Sequence, residues 1–222
     1  MVIDPFEESG QVAEVTDTER VFEGSAKSSI AVIFSSESRI EAFPSEISLK
    51  TFFEFLATHH IEVDGILLTH AHVDHILGLQ RLLQTIDSPV YHFIEESFLW
   101  ENFEHQARMF GFNAILPSVN PLSLTHNQIV KLQNIEIKVL YTPGHAPDHC
   151  SFFVENAGLL LSGDALFKES IGRTDLYKGD LSLLLNSIRQ ELLLLGDQVK
   201  VYPGHGPATT IGHEKLHNPY LG

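Results

Sequence analysis

Residues 65–75 read GILLTHAHVDH, an apolar run that opens into three histidines and an aspartate between His70 and His75. Side chains alternate across an extended backbone, so His70 and His72 face the same way and can meet a single metal ion. The following HILGLQRLLQ has a helical apolar spacing. A turn into that helix swings Asp74 and His75 toward a second, neighbouring position. Imidazole and carboxylate donors suit zinc, iron or manganese, and no cysteine lies nearby to close a structural zinc site. A strand that feeds such a cluster is the structural context a metal motif requires. The plainer alternative is a histidine-rich surface turn.

Three later segments bear on that choice. TPGHAPDH (142–149) follows the alternating IEIKVLY, so His145 falls just past a strand end on a Pro-Gly turn. YPGHGPATT (202–210) follows VKVY and repeats the arrangement at His205. Between them GLLLSGDALF (158–167) places Asp164 at the end of a short apolar run that reads as a buried strand. Taken singly, His145 or His205 is the kind of histidine found on any turn. Together the four clusters put every candidate ligand at a strand terminus, where a rigid sheet can aim loop side chains at one point.

These motifs resemble the metallo-β-lactamase superfamily, from about Phe53 to the C-terminus. The resemblance implies a first metal held by His70, His72 and His145, a second held by Asp74, His75 and His205, and Asp164 bridging both. The cofactors it implies are two divalent ions, zinc foremost, with iron or manganese as alternatives. Aspartate in SGDALF argues against a β-lactamase of the common zinc type, which carries cysteine at the bridging place. The single cysteine, Cys150, fits no ligand slot. SIGRTDL (170–176), TIGHEKLHNPYL (210–221) and HQARMFGF (105–112) resemble the short bacterial branch of glyoxalase II-like hydrolases. The implied fold is α/β, a four-layer αββα sandwich of two mixed sheets flanked by helices, with the metals along one edge.

The implied activity is hydrolysis of an acyl thioester by a metal-bridging hydroxide. Asp74 would orient that hydroxide as well as bind metal, and His149 would stand behind the ligands, fixing one of them or a turn. Arg173 falls where glyoxalase II enzymes place a glutathione-contacting lysine, and Asp175 where they place a tyrosine. Two roles are open to Arg173: gripping a substrate carboxylate, or pairing with Asp175. Two other functions stay open. A persulfide dioxygenase would hold one iron through His70, His145 and Asp164, and it shares the GRTD stretch. Ser170-Ile171 stands where such enzymes carry Gly-Cys, which favours the hydrolase. The third is a non-catalytic scaffold of the same fold.

Composition bounds the partners. Lys+Arg 14 against Asp+Glu 29 leaves a formal charge of −15. Nucleic-acid binding needs a basic footprint, so a small-molecule substrate is expected and a nucleic acid is not. One cysteine in 222 residues excludes an intramolecular disulfide framework. No apolar stretch approaches the roughly 18 residues of a membrane span, and MVIDPFEESG has no signal-like apolar core. A cytoplasmic protein with no membrane partner is expected; oligomeric state is not legible.

Residues 1–29 carry seven acids against Arg20 and Lys27, with little periodicity, and are expected as a loosely ordered segment before a single domain at 30–222. SIAVIFSS reads as a strand. AFPSE, with Phe43, stands where the family has an Asp-Pro-Gly turn, and MVIDP has the look of that turn displaced. SLKTFFEFLATHH reads as a helix with Ser48 as N-cap and His59 and His60 at its C-terminal dipole. A second helix is expected over 180–195, capped by Asp180. FLWENFEHQARMF (98–110) fits either an apolar entrance or an amphipathic helix packed on the core.

Overall fold

The computed structural model describes three strands near the start, residues 53–54 and 56–58, and the chain from 62 to 132 and from 135 to 222. The AFPSE turn, the N-terminal MVIDP, Ser48, His59 and His60 lie outside the described residues. Within the acidic front segment β1 (Val12–Glu14) pairs antiparallel with β2 (Arg20–Phe22). Three-residue strands are too short to show a period, which is why the sequence does not announce them.

Two larger sheets follow. In the first, β3 (Ser29–Ile33), β4 (Glu62–Leu67), β5 (Val90–His92) and β6 (Leu122–Ser123) lie in that order, each described pair parallel. The connections carry α1 (Val73–Ile76), α2 (Leu79–Leu83), α3 (Phe98–Glu101) and α4 (Phe103–Met109). HILGLQRLLQ therefore forms two short helices rather than one, broken at Leu77-Gly78, where glycine is a poor helix former.

The second sheet has six strands in the order β14-β13-β10-β9-β8-β7. They are β7 (Ile129–Leu132), β8 (Ile135–Tyr141), β9 (Cys150–Val154), β10 (Leu159–Gly163), β13 (Lys200–Pro203) and β14 (Thr209–Thr210). Its pairings are antiparallel except β10 with β13, so this sheet is mixed. A small hairpin, β11 (Leu166–Phe167) with β12 (Ser170–Ile171), stands beside it. The expected C-terminal-half helix is α5 (Leu181–Ser187), continued by a π turn over Ile188–Leu192. Asp180 caps it, accepting from the Leu183 N–H at 2.9 Å. A last helix, α6 (Ile211–His217), is capped by Thr210.

Three apolar clusters mark the three interfaces of a four-layer sandwich. Ile66 and Leu68 face Ile76, Leu79, Leu82, Leu99 and Phe103 under the first helices. Leu67 points the other way, between the sheets, among Ile137, Val139, Phe152, Leu159 and Leu161. On the far side Leu160 and Val201 meet Leu184, Ile188, Leu192 and Ile211. Strands covered on both faces must be apolar at successive positions, which explains why GILL and LLLS read as unbroken runs rather than as alternation. FLWENFEHQARMF follows the core alternative: Leu99, Trp100, Phe103 and Ala107 are buried, while Phe98, Met109 and Phe110 are exposed. Among the described residues no helix is long and apolar enough to cross a membrane.

Candidate metal centre

The seven residues singled out by spacing come together at one sheet edge. His70 and His72 lie on the extended segment beyond β4, and α1 supplies Asp74 and His75 from its first turn. From the second sheet His145 follows β8, Asp164 follows β10 and His205 follows β13. They form three overlapping groups: His70, His72 and His145; His70, His75 and Asp164; Asp74, His75 and His205.

The first triad is tight. His145 Nε2 lies 2.9 Å from His72 Nδ1 and 3.3 Å from His70 Nε2. Asp164 spans the groups, with Oδ2 at 3.5 Å from His145 Nε2 and 3.3 Å from His205 Nε2, and Oδ1 at 3.4 Å from His75 Nε2. Asp74 Oδ2 stands 3.5 Å from His205 Nε2 and 3.7 Å from His75 Nε2. Donors around a tetrahedral ion bound at about 2.0–2.2 Å are themselves about 3.3–3.6 Å apart. The spacing therefore fits metal ligation. Buried polar atoms support the same fit: both ring nitrogens of His75, His72 Nε2 and Asp164 Oδ1 have no hydrogen-bond partner.

Electrostatics divides the cluster in two. Burial, then the neighbouring imidazoles of His75 and His72, hold His70 well below the usual histidine range. Burial and His145 take His72 down to about 4. Burial also lowers His145, so the first triad is neutral at pH 7 and ready to donate lone pairs. Around the second position burial pulls His205 down, but its hydrogen bonds to Asp164 and Asp74 carry it up to about 10. Burial likewise opposes charge on His75, and Asp164 and Asp74 outweigh it. Burial pushes the Asp164 carboxyl up while His75 and His205 hold it well below its usual range. Protons here balance two carboxylates, and a cation displaces such protons when it binds.

Surrounding contacts fix the ligands. His145 Nδ1 donates to the Arg173 carbonyl at 2.8 Å, leaving Nε2 for ligation. His149 Nε2 accepts from the Asp164 N–H at 3.0 Å, so its proton sits on Nδ1 and is donated to Thr142 Oγ1 at 2.9 Å. Thr142 then donates to Ser151, and Ser151 to the Ser162 carbonyl. Each hydrogen bond in this buried chain has one possible direction. Gly163, at φ +50°, lies against His149 and Thr69, where any Cβ would collide. Arg173 donates from Nε and Nη2 to both Asp175 oxygens, at 2.6 and 2.7 Å, at an exposed position. Cys150 is buried among these strands, its thiol pushed up by burial and by Asp148, which keeps it protonated and unreactive.

Sequence reasoning missed three contributors. Asp148 Oδ2 accepts from the Ala71 N–H at 2.8 Å and lies 3.2 Å from His92 Nε2, and Gln106 Nε2 donates to the Ala71 carbonyl at 3.1 Å. Asp148 and Gln106 sit inside quoted motifs. Neither shows its partner until the sheets are assembled.

Residues 47–213 match the Metallo-beta-lactamase superfamily, and the chain belongs to that superfamily. It is 38% identical over 160 residues to the Haemophilus influenzae hydroxyacylglutathione hydrolase GloC, covering 70% of this chain and 74% of that protein. A probable metallo-hydrolase of Streptococcus pyogenes is 40% identical over 164 residues, covering 71% and 70%. Among solved structures, the BLEG-1 B3 metallo-β-lactamase superposes with a TM-score of 0.75 at 30% identity, covering 100% of this chain and 98% of that one. TTHA1623 in a di-iron-bound form superposes with a TM-score of 0.71 at 35% identity, covering 78% and 85%.

Proposed function

We propose that the protein is a cytoplasmic, metal-dependent hydrolase of acyl thioesters, similar in activity to glyoxalase II. The observation that carries the proposal is the position of Asp164 within 3.3–3.5 Å of His75, His145 and His205, which lets one carboxylate serve two metal positions. His70, His72 and His145 would hold one ion and Asp74, His75 and His205 the other. Two divalent ions at such a site, zinc or iron by donor type, supply a water acidified to near neutrality and a Lewis acid for the substrate carbonyl.

The chain's own groups do the rest. Asp74 is about one-third exposed and His205 about one-fifth, whereas His70, His75 and His145 are closed in. Substrate therefore enters on the Asp74 and His205 side. Phe167, whose ring lies 6.0 Å from that of His205, offers an apolar wall there. Asp74 is placed to hold the attacking water by its proton. Its carboxyl stays ionised because His75 and His205 outweigh the effect of burial. A thioester suits this site because its thiolate leaves with a thiol pKa of about 8.5 and needs little help from a general acid. The kinship with GloC and with a probable metallo-hydrolase supports the class of reaction.

Arg173 is proposed to bind the carboxylate end of a glutathione-type thiol carrier with the guanidinium edge that Asp175 does not cover. Arg173→Ala should raise KM for S-lactoylglutathione about tenfold, the size of one screened charge-assisted hydrogen bond, and leave kcat nearly unchanged. The same KM rise on a thioester lacking those carboxylates would exclude this role. Steady-state assays of the metal-loaded protein on S-lactoylglutathione, beside glutathione persulfide and a cephalosporin, test the reaction class. Thioester turnover is expected to exceed both others. Faster sulfite formation or β-lactam opening would reject the proposal.

A further inference from the structure

Behind the ligands lies a buried acid and a buried histidine that the proposed hydrolysis does not use. His92 ends β5, and Asp148 lies in the turn after His145, so the pair spans the two sheets. Both side chains are fully buried, with His92 Nε2 3.2 Å from Asp148 Oδ2. The His92 ring also lies 5.7 Å from that of Trp100. A carboxylate without solvent is tolerated only when paired and hydrogen-bonded. This one accepts the Ala71 N–H at 2.8 Å, and Ala71 separates His70 from His72.

The Ala71 peptide is held on both sides, because its carbonyl accepts from Gln106. Two residues away on each side, the Cys150 N–H at the start of β9 donates to the Thr69 carbonyl at 2.8 Å, a second tie to the same segment. Two histidines of one metal position thus stand on a segment belonging to the first sheet, and the third, His145, on a loop of the second. Asp148 joins that loop directly to the segment. Without its acceptor, the Ala71 N–H would be left buried and unpaired, and the segment would rotate to satisfy it.

We infer that Asp148, supported by His92, is a positioning residue: through the Ala71 N–H it sets the relative placement of His70, His72 and His145 and so the affinity of that metal position. The inference rests on the metal-centre proposal above. Partners of this kind behind metal ligands change affinity by about 10–100-fold when removed. The charge of Asp148 is secondary to its oxygen; the hydrogen bond is what places the ligands.

Zinc affinity measured by chelator competition, with the absorption spectrum of the cobalt-substituted protein as a second readout, tests this. The double variant His92→Met/Asp148→Leu removes both ionisable groups at once and leaves no orphaned charge, so it should still fold, with a metal-free melting temperature lowered only by the unpaired Ala71 N–H. It should nevertheless bind zinc at the His70, His72 and His145 position about 10–100-fold less tightly and show altered cobalt bands. Asp148→Asn keeps an oxygen for the Ala71 N–H and should hold zinc within about threefold of the native protein, on the same scale of outer-partner effects. Native-like zinc affinity in the double variant, or Asp148→Asn as weak as the double variant, would overturn the inference. A native protein that binds no zinc would instead refute the metal-centre proposal itself, before any variant is compared.

Discussion

Asp164→Asn should lose metal and activity together. The Asp164 carboxylate lies within reach of histidines from both metal positions, and it is held ionised despite burial because His75 and His205 outweigh the desolvation cost. The amide keeps the size but removes a negative charge that balances two dications. It also puts an NH2 donor where a donor has only histidine nitrogens and metal to face. Loss of an outer partner costs about 10–100-fold, so loss of a shared ligand should exceed about 100-fold in kcat/KM, with metal content falling in parallel. Full occupancy and near-native turnover in this variant would show that the bridge lies elsewhere.

Gly204→Ala should be nearly as damaging although residue 204 ligates nothing. Its N–H donates to the Gly163 carbonyl at 2.8 Å, which pins the turn between β13 and His205 against the turn that carries Asp164. A Cβ built there overlaps the Asp164 carboxylate. Either the carboxylate rotates away from the histidines or the two turns separate. Overpacking of this kind destabilises by about 1–3 kcal/mol, and moving the shared ligand should lower metal affinity by about 10–100-fold. Thermal unfolding with metal analysis of the variant checks both effects. Unchanged metal content would mean that the turn has more room than its packing indicates.

Most of the site was legible because its chemistry is local. Histidines and an aspartate in consecutive or alternate positions after apolar runs point to strand-end ligands, and the structure brings His70, His72, Asp74, His75, His145, Asp164 and His205 into one cluster. The four layers were legible from the resemblance, and the buried strand before Asp164 from its short apolar run. What the sequence concealed depends on contacts between distant segments. Asp148 and Ala71 are 77 positions apart, and nothing in either neighbourhood marks the hydrogen bond that joins them. The two roles open to Arg173 show the opposite limit. The pairing with Asp175 forms, holding that carboxyl down to about 2 through the Arg173 hydrogen bond, and an exposed pair of this kind leaves the second role for kinetics to decide.

Titration of the metal-free protein with zinc, followed by S-lactoylglutathione hydrolysis, tests the central claim most directly. Thioesterase activity should rise to its maximum at two equivalents per chain. Maximal activity at a single equivalent of iron, accompanied by oxygen uptake and sulfite release from glutathione persulfide and by no thioester turnover, would contradict it.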